Sequence, residues 1–353
     1  MKESNGIRLN KKRLTIVQVI SNLPNAHPVP SNKGGTEKIV YELTEELVRR
    51  GHDVYLFAAQ GSKSSAKLIQ YPRSLKKSAI AAYVLSKLPK HTDIIHDHTF
   101  HSALGSYRKV PTVCTIHMPV KNKVDYPIYV SKRARKVNGK NRGYYVYNGI
   151  NADEYEFSSD KHGYLLFMGR VIKSKGVLKA IEVAEKTGKR LIIAGPVNSQ
   201  LFFKQEIKPR IARNPNIHYV GAVQGRQKQN LLKHAECVLF PTLMEEAFGL
   251  VMIEALACGT PVLALNNGSV SEVLAGFPSF VCKTVGEMIR KVQLKKYPSS
   301  RVLRRYVVKW FTNAKMTENY LDIYSKVIRL HSNKKLRKPL GNEPVSPSFT
   351  YQS

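Results

Sequence analysis

Hydrophobic residues come in short continuous runs, separated by stretches whose apolar positions follow helical spacing. Residues 14–20 (LTIVQVI) are one such run, the pattern of a strand buried on both faces. A loop rich in Pro, Asn and Gly follows, then TEKIVYELTEELVRRGH. There Ile39, Val40, Leu43, Leu47 and Val48 recur at helical spacing and Gly51 supplies a C-terminal stop. DVYLFAA resumes as a strand. The same alternation predicts strands at 93–96, 111–116, 127–130 and 144–147, then a second series at 164–169, 190–195, 217–221, 236–241 and 261–265. Short strands alternating with amphipathic helices indicate an α/β protein with parallel sheets. The turn Tyr147-Asn148-Gly149-Ile150 and the polar stretch to Gly163 separate the two series. The expected division is therefore a first domain over 1–150 and a second over 151–313. A terminal helix is expected at 314–332, and a disordered tail rich in Lys, Arg, Pro and Ser at 333–353.

Composition narrows the class. A chain of 353 residues suits two domains, and 42% hydrophobic with 23% charged residues is too apolar for a disordered chain. No window reaches the roughly 18 uninterrupted apolar residues of a membrane span, and the first residues lack a secretory pattern. The expected location is cytoplasmic. Cys114, Cys237, Cys258 and Cys282 form no CxxC pair and each sits in an apolar stretch, so they read as reduced core residues. The charge is unusual: 57 Lys plus Arg against 25 Asp plus Glu gives +32. Such a field attracts nucleic acid, anionic lipid or phosphorylated substrates. Lys76 and Lys77 precede SAIAAYVLSKLPK, which with Lys87 and Lys90 at its far end reads either as an interfacial helix or as an ordinary core helix.

In open parallel sheets, ligands bind beyond the C-terminal strand ends, and four segments fall at such positions. Lys33-Gly34-Gly35-Thr36 joins the first strand to its helix, where backbone can approach a phosphate at a helix N-terminus. Gly169–Gly176 carries Arg170, a planar donor fork, and Lys175, a mobile point charge; together they suit a diphosphate. PTLMEEAFGLVMIEALACGTPVLAL places Glu246 in a loop and Glu254 in the helix that starts near Gly249. Seven residues separate the two carboxylates, which leaves both able to face one cleft and grip vicinal hydroxyls. Glu254 interrupts an otherwise apolar run, and a charge there is costly without a partner. Phe248, Gly249 and Leu250 supply amides at the helix mouth. The last segment is DIIHDHT with His117 after the strand PTVCTI. No zinc ligand spacing accompanies these histidines. His117 reads as a substrate-side group, His96 and His98 as structural ones. An Asp-x-Asp pair of the kind that holds a metal on a diphosphate is missing from the sequence.

In this order, GGTEKIVYELTEELVRRGHDVYLFA, DIIHDHT, CTIH, YNGI, LLFMGRVIKSKG and EEAFGLVMIEALACGTPVLA resemble the family 4 glycosyltransferases over about residues 14–330. The resemblance implies a GT-B fold: two Rossmann-like domains facing across a cleft, with the terminal helix crossing back to the first. It implies a retaining, metal-independent transfer from a nucleotide diphospho-sugar bound to the second domain. By matching position, Arg170 and Lys175 resemble the diphosphate-binding pair, Glu254 the ribose-binding carboxylate and Glu246 the donor-sugar carboxylate. The resemblance also implies that the backbone of Phe248, Gly249 and Leu250 assists; Gly34 and Gly35 resemble the loop near the diphosphate, and His117 resembles the histidine beside the transferred sugar. Ala222 departs from the pattern, since relatives often carry an acidic residue or proline there. The expected activity is hexosyl transfer, UDP-linked, to a lipid-linked or cell-surface glycan acceptor, at an anionic membrane surface. The competing readings are a nucleotide-sugar epimerase of the same fold and a basic protein that binds nucleic acid or anionic membrane. Nucleic acid is disfavoured because the cations are spread over both domains and the tail.

Overall fold

The computed structural model describes residues 13–24, 26–30, 34–119 and 121–336. Lys33 and the tail from 337 lie outside the described residues. The first sheet contains β1 (Thr15–Val19), β2 (Asp53–Ala58), β3 (Lys67–Gln70), β4 (Ile94–Asp97), β5 (Thr112–Ile116), β6 (Pro127–Tyr129) and β7 (Tyr144–Tyr145). Its order is β3-β2-β1-β4-β5-β6-β7, parallel throughout. The second contains β8 (Leu165–Met168), β9 (Leu191–Ala194), β10 (Ile217–Tyr219), β11 (Cys237–Phe240), β12 (Val262–Leu265) and β13 (Val281–Cys282). Its order, β10-β9-β8-β11-β12-β13, is again parallel. Two Rossmann-like α/β units result, the GT-B arrangement. The apolar runs fall on strands as their periodicity predicts. The sequence pattern does not reveal β3, a partly exposed edge strand, or β13, which has two residues.

Each sheet is covered by helices whose apolar stripe the sequence displays. In α1 (Gly35–Arg49), Ile39, Val40, Leu43 and Leu47 are almost fully buried against the first sheet. Each such side chain contributes about 1.5–3 kcal/mol of transfer free energy. The short α2 (Ile80–Ser86) turns Ile80 and Val84 into a cluster with Val17, Phe57 and Tyr71. This is the core-helix alternative for the Lys76–Lys90 segment: Ile80 and Val84 are spent inside its own domain, and Lys76, Lys77, Lys87 and Lys90 are exposed. All four cysteines are buried and free.

The chain crosses between domains twice, and the crossings are bonded to each other. Ile150 N–H donates to the Phe311 carbonyl at 2.9 Å, and Asn313 N–H donates to the Ile150 carbonyl at 2.9 Å. Gly149 fits there because a Cβ would overlap the Thr312 carbonyl. The terminal helix, Asn313–Leu336, then packs Met316, Tyr320, Leu321, Tyr324 and Val327 into the core of the first domain. It runs four residues beyond the end expected at 332.

Candidate functional site

All four candidate segments sit at C-terminal strand ends, where parallel sheets leave room for ligands. After β1, Gly34 precedes α1 in an extended conformation, and the first-turn N–H groups of α1 lack intrahelical partners. Glu37 lies over this turn, its Oε1 accepting from His27 N–H at 3.0 Å. A Cβ on Gly35 would stand 3.1 Å from Leu250 Cδ1, so the two domains approach closely here. Leu250 packs against the cores of both.

After β8, the loop through Arg170 and Lys175 leads to the helix α4 (Val177–Thr187). Ser174 carbonyl accepts from Leu243 N–H at 2.8 Å, tying this loop to the one after β11. Across that seam Lys175 Nζ meets Glu246 Oε2 at 2.5 Å, with the side chains 17% and 11% exposed. Glu246 is held from behind, its carbonyl accepting from Ser269 N–H at 2.9 Å. Arg170 is exposed and its guanidinium makes no ion pair among the described residues. The structure therefore brings Lys175 and Glu246 together and leaves Arg170 available.

Gly249 caps the helix Leu250–Ala257 in the left-handed region, at φ 84°. A Cβ would also press on Met252 and Phe240, so glycine is required twice over. The Phe248 ring is buried between Tyr147 and Phe311, at centroid distances of 6.3 and 5.9 Å. It anchors the loop. Inside the helix Glu254 is 5% exposed. Its Oε1 accepts from Tyr155 OH at 3.0 Å and from Lys228 Nζ at 2.7 Å. The partner demanded by a charge in an apolar run is present. Burial, and then the Glu254 carboxylate, push the Tyr155 hydroxyl pKa well up, which keeps it a donor.

His117 follows β5 at the edge shared with Gly34 and Gly35. Its Nε2 is 3.1 Å from His98 Nδ1, and His98 Nε2 is 2.8 Å from Gln18 Oε1. His96 lies fully buried between Tyr324 OH at 2.6 Å and Thr115 Oγ1 at 2.7 Å. Desolvation drives His96 and His98 well below the usual histidine range and His117 down to about 4. All three are neutral at pH 7. A different group, Asp160, His162 and His234, brings three metal-ligating atoms within 4.8 Å of one another, but at the opposite, N-terminal strand edge of the second sheet.

The domains also meet through Glu272, which accepts from Lys132 N–H at 3.1 Å, Arg133 N–H at 3.0 Å and Tyr147 OH at 2.9 Å. Those amides open the helix α3 (Lys132–Gly139) of the first domain. Arg133 and Glu245 add a bidentate pair at 2.5 and 2.9 Å.

Comparison with known proteins gives these features a context. The Glycosyltransferase Family 4 model matches residues 33–154, and the model of glycosyl transferases group 1 matches residues 151–288. The chain belongs to glycosyltransferase family 4. This glycosyltransferase is 22% identical over 358 residues to a human phosphatidylinositol N-acetylglucosaminyltransferase chain, covering 84% of this chain and 74% of that one. It is 27% identical over 148 residues to the uncharacterized glycosyltransferase MJ1607 of Methanocaldococcus jannaschii, a match spanning 36% of this chain and only 37% of that protein. Among solved structures, AviGT4, a glycosyltransferase of avilamycin A biosynthesis, superposes with TM-score 0.75 at 24% identity over 90% of this chain and 98% of its own. Anabaena HepE, solved in complex with UDP-glucose, superposes with TM-score 0.68 at 16% identity over 89% of this chain and 100% of its own. The epimerase and nucleic-acid readings gain no support from these relatives.

Five residues around the site escape the sequence reading: Gln18, Tyr155, Lys228, Glu272 and Tyr324. One was within reach. Gln18 is a polar residue inside an apolar strand, the same signal that singles out Glu254.

Proposed function

We propose that this glycosyltransferase moves a hexosyl group from a nucleotide diphospho-sugar, UDP-linked, to an acceptor hydroxyl with retention of anomeric configuration. The observation that carries the reading is the Lys175–Glu246 pair at 2.5 Å, with the unpaired Arg170 on the same loop as Lys175. A cation fixed beside a carboxylate at the mouth of a helix suits a donor whose diphosphate and sugar lie side by side. Glu254 then takes the ribose hydroxyls, Glu246 the donor sugar, and the amides of Phe248, Gly249 and Leu250 assist. Gly34 and Gly35 let the α1 N-terminus approach the diphosphate. UDP as the carrier is supported by HepE, which binds UDP-glucose.

The chemistry follows from charge placement. As the bond from the anomeric carbon to the diphosphate oxygen breaks, the sugar becomes oxocarbenium-like and the diphosphate gains negative charge. Arg170 and Lys175 stabilise that charge, so no metal is called on. The acceptor oxygen bonds to the anomeric carbon on the same face, and its proton passes to the leaving phosphate oxygen. Glu246 acts by stabilising the cationic sugar and not as a covalent nucleophile.

For the acceptor we propose a lipid-linked or cell-surface glycan precursor, met at the inner face of an anionic membrane. The net charge of +32 supports the membrane, and the lipid named by the human relative supports the acceptor class. No described helix is long and apolar enough to cross a membrane. The first test is thermal stability with UDP, GDP, ADP, CMP and dTDP, with and without EDTA. Ligand at 100 times its dissociation constant adds roughly 2.7 kcal/mol. A selective shift by UDP, indifferent to EDTA, is the expected result. No shift with any diphosphate would remove the donor site. For the membrane, flotation with neutral and anionic vesicles should show salt-sensitive binding to the anionic ones alone.

A further inference from the structure

A hydrogen-bond chain runs from His117 at the cleft edge to the terminal helix, through groups that are 0 or 1% exposed: His98, Gln18, Tyr324, His96, Thr115 and Tyr320. Such a chain is stable only if every link has one donor and one acceptor. Gln18 fixes which is which, because its two ends differ. Its amide oxygen faces His98 Nε2 at 2.8 Å, and an oxygen only accepts, so His98 carries its proton on Nε2. A neutral imidazole has a single N–H, so His98 Nδ1 is a bare lone pair. His117 Nε2, 3.1 Å away, must then be the donor. That leaves His117 Nδ1 without a proton and without a partner among the described residues.

The other end of Gln18 agrees. Its amide N–H donates to Tyr324 OH at 3.2 Å, which frees the tyrosine proton for His96 Nδ1 at 2.6 Å. His96 Nε2–H then donates to Thr115 Oγ1 at 2.7 Å. All the protons run consistently in both directions from one glutamine.

We propose that Gln18 is a positioning residue: held by Tyr324 of the terminal helix, it sets His117 in the Nε2–H form, so that the cleft is offered a lone pair at Nδ1. The proposal rests on the reading that His117 lies beside the transferred sugar. It adds a selection rule. The sugar must present a hydroxyl, a proton donor, to His117; a deoxy position or an acceptor-only substituent leaves that lone pair unanswered. It also gives the crossing helix a task in the site beyond bracing the first domain.

The test is long-range proton–nitrogen NMR of the full chain labelled at histidine nitrogen, with His117 assigned by loss of its signals in His117→Asn. The expected wild-type spectrum has His117 protonated at Nε2 and bare at Nδ1. Gln18→Leu removes the oxygen opposite His98 and should give a mixture. In Gln18→Leu, KM for UDP-glucose should rise about tenfold, the effect of one lost hydrogen bond, with less change in kcat. A wild-type His117 protonated at Nδ1 overturns the proposal, and so does a Gln18→Leu protein that keeps the pure Nε2–H form. Beyond the His117→Asn protein used for assignment, the wild-type spectrum needs no bound sugar. Failure of UDP-glucose to bind would instead strike the donor reading, which the tautomer measurement does not share.

Discussion

Lys175 and Glu246 are ion-paired at 2.5 Å across the seam between the loops that follow β8 and β11. Both are mostly buried, so the pair is less screened than a surface contact and fixes the two loops relative to each other. A diphosphate binding beside it would share Lys175 without waiting for the loop to organise. Lys175→Ala is therefore expected to lower kcat by about a hundred- to a thousandfold, about 2.7–4 kcal/mol, as removal of a charge-stabilising donor does. Arg170→Ala, which breaks no pair, should lose similar turnover while leaving the melting temperature unchanged. Steady-state kinetics with UDP-glucose, beside melting curves, separate the two. Near-normal turnover in both variants would refute the diphosphate assignment.

Glu254 offers a second, separable measurement. Tyr155 and Lys228 both use Oε1, and Oε2 has no partner among the described residues. One oxygen is anchored and the other is open, as a grip on ribose hydroxyls requires. Replacing the carboxylate by an amide, Glu254→Gln, should weaken UDP binding by about ten- to a hundredfold, the range of a hydrogen bond to a charged group. Tyr155→Phe should leave the affinity within about threefold, because it touches only the anchored oxygen. Titration calorimetry with UDP reads both. Equal losses in the two variants would mean that Glu254 is held for structure alone.

Much of this arrangement is legible in the sequence, and the reason is physical. Continuous apolar runs report strands buried on both faces, so the central strands of both sheets stand out, while the half-exposed β3 does not. The same logic works in the site wherever a polar residue breaks an apolar run, as Glu254 does. Its partners are not legible. Lys228 and Tyr155 lie on other elements, at sequence separations of 26 and 99, and no local pattern marks them. Glu272 is hidden for the same reason: its role depends on where the first domain stops, not on its neighbours in the chain. His98 reads as structural from its buried strand end, and it is buried. The structure adds that its free nitrogen is turned to His117.

Glu272 sits where one domain reaches the other. It accepts from the first two amides of α3, groups that a helix cannot satisfy internally, and so acts as a cap supplied from the second domain. Glu272→Ala should cost about 1–2 kcal/mol, the usual effect of losing a cap. It should also let the domains open, seen as a larger radius of gyration in solution scattering without nucleotide. Glu245→Ala, which removes only the partly exposed pair with Arg133, should do less. If scattering from the Glu272 variant superposes on the wild type, closure is held by Leu250 and the paired crossings at Ile150 and Thr312, and the cap contributes locally.

His96 and His98, fully buried, and the half-buried His117 make stability depend on pH with a definite sign. His96, His98 and His117 are neutral in the fold, their affinities for protons lowered chiefly by desolvation, His117 to about 4. Unfolded, each takes up a proton near pH 6.5. Below that pH the unfolded chain binds more protons than the native one, so stability falls as pH falls. Each histidine contributes about 1.4 kcal/mol per pH unit, and three together approach about 4 kcal/mol per unit near pH 5. Asp97 and Glu42, whose proton affinities burial raises, titrate in the opposite sense and blunt the lower end of the window. Chemical denaturation between pH 5 and 7.5 should show this loss, and His117→Asn should shallow the slope by about one proton. A profile flat down to pH 5 would mean that the histidines are charged in the native state. The relay from Gln18 to His117 could not then keep its order, since a charged imidazole donates from both nitrogens.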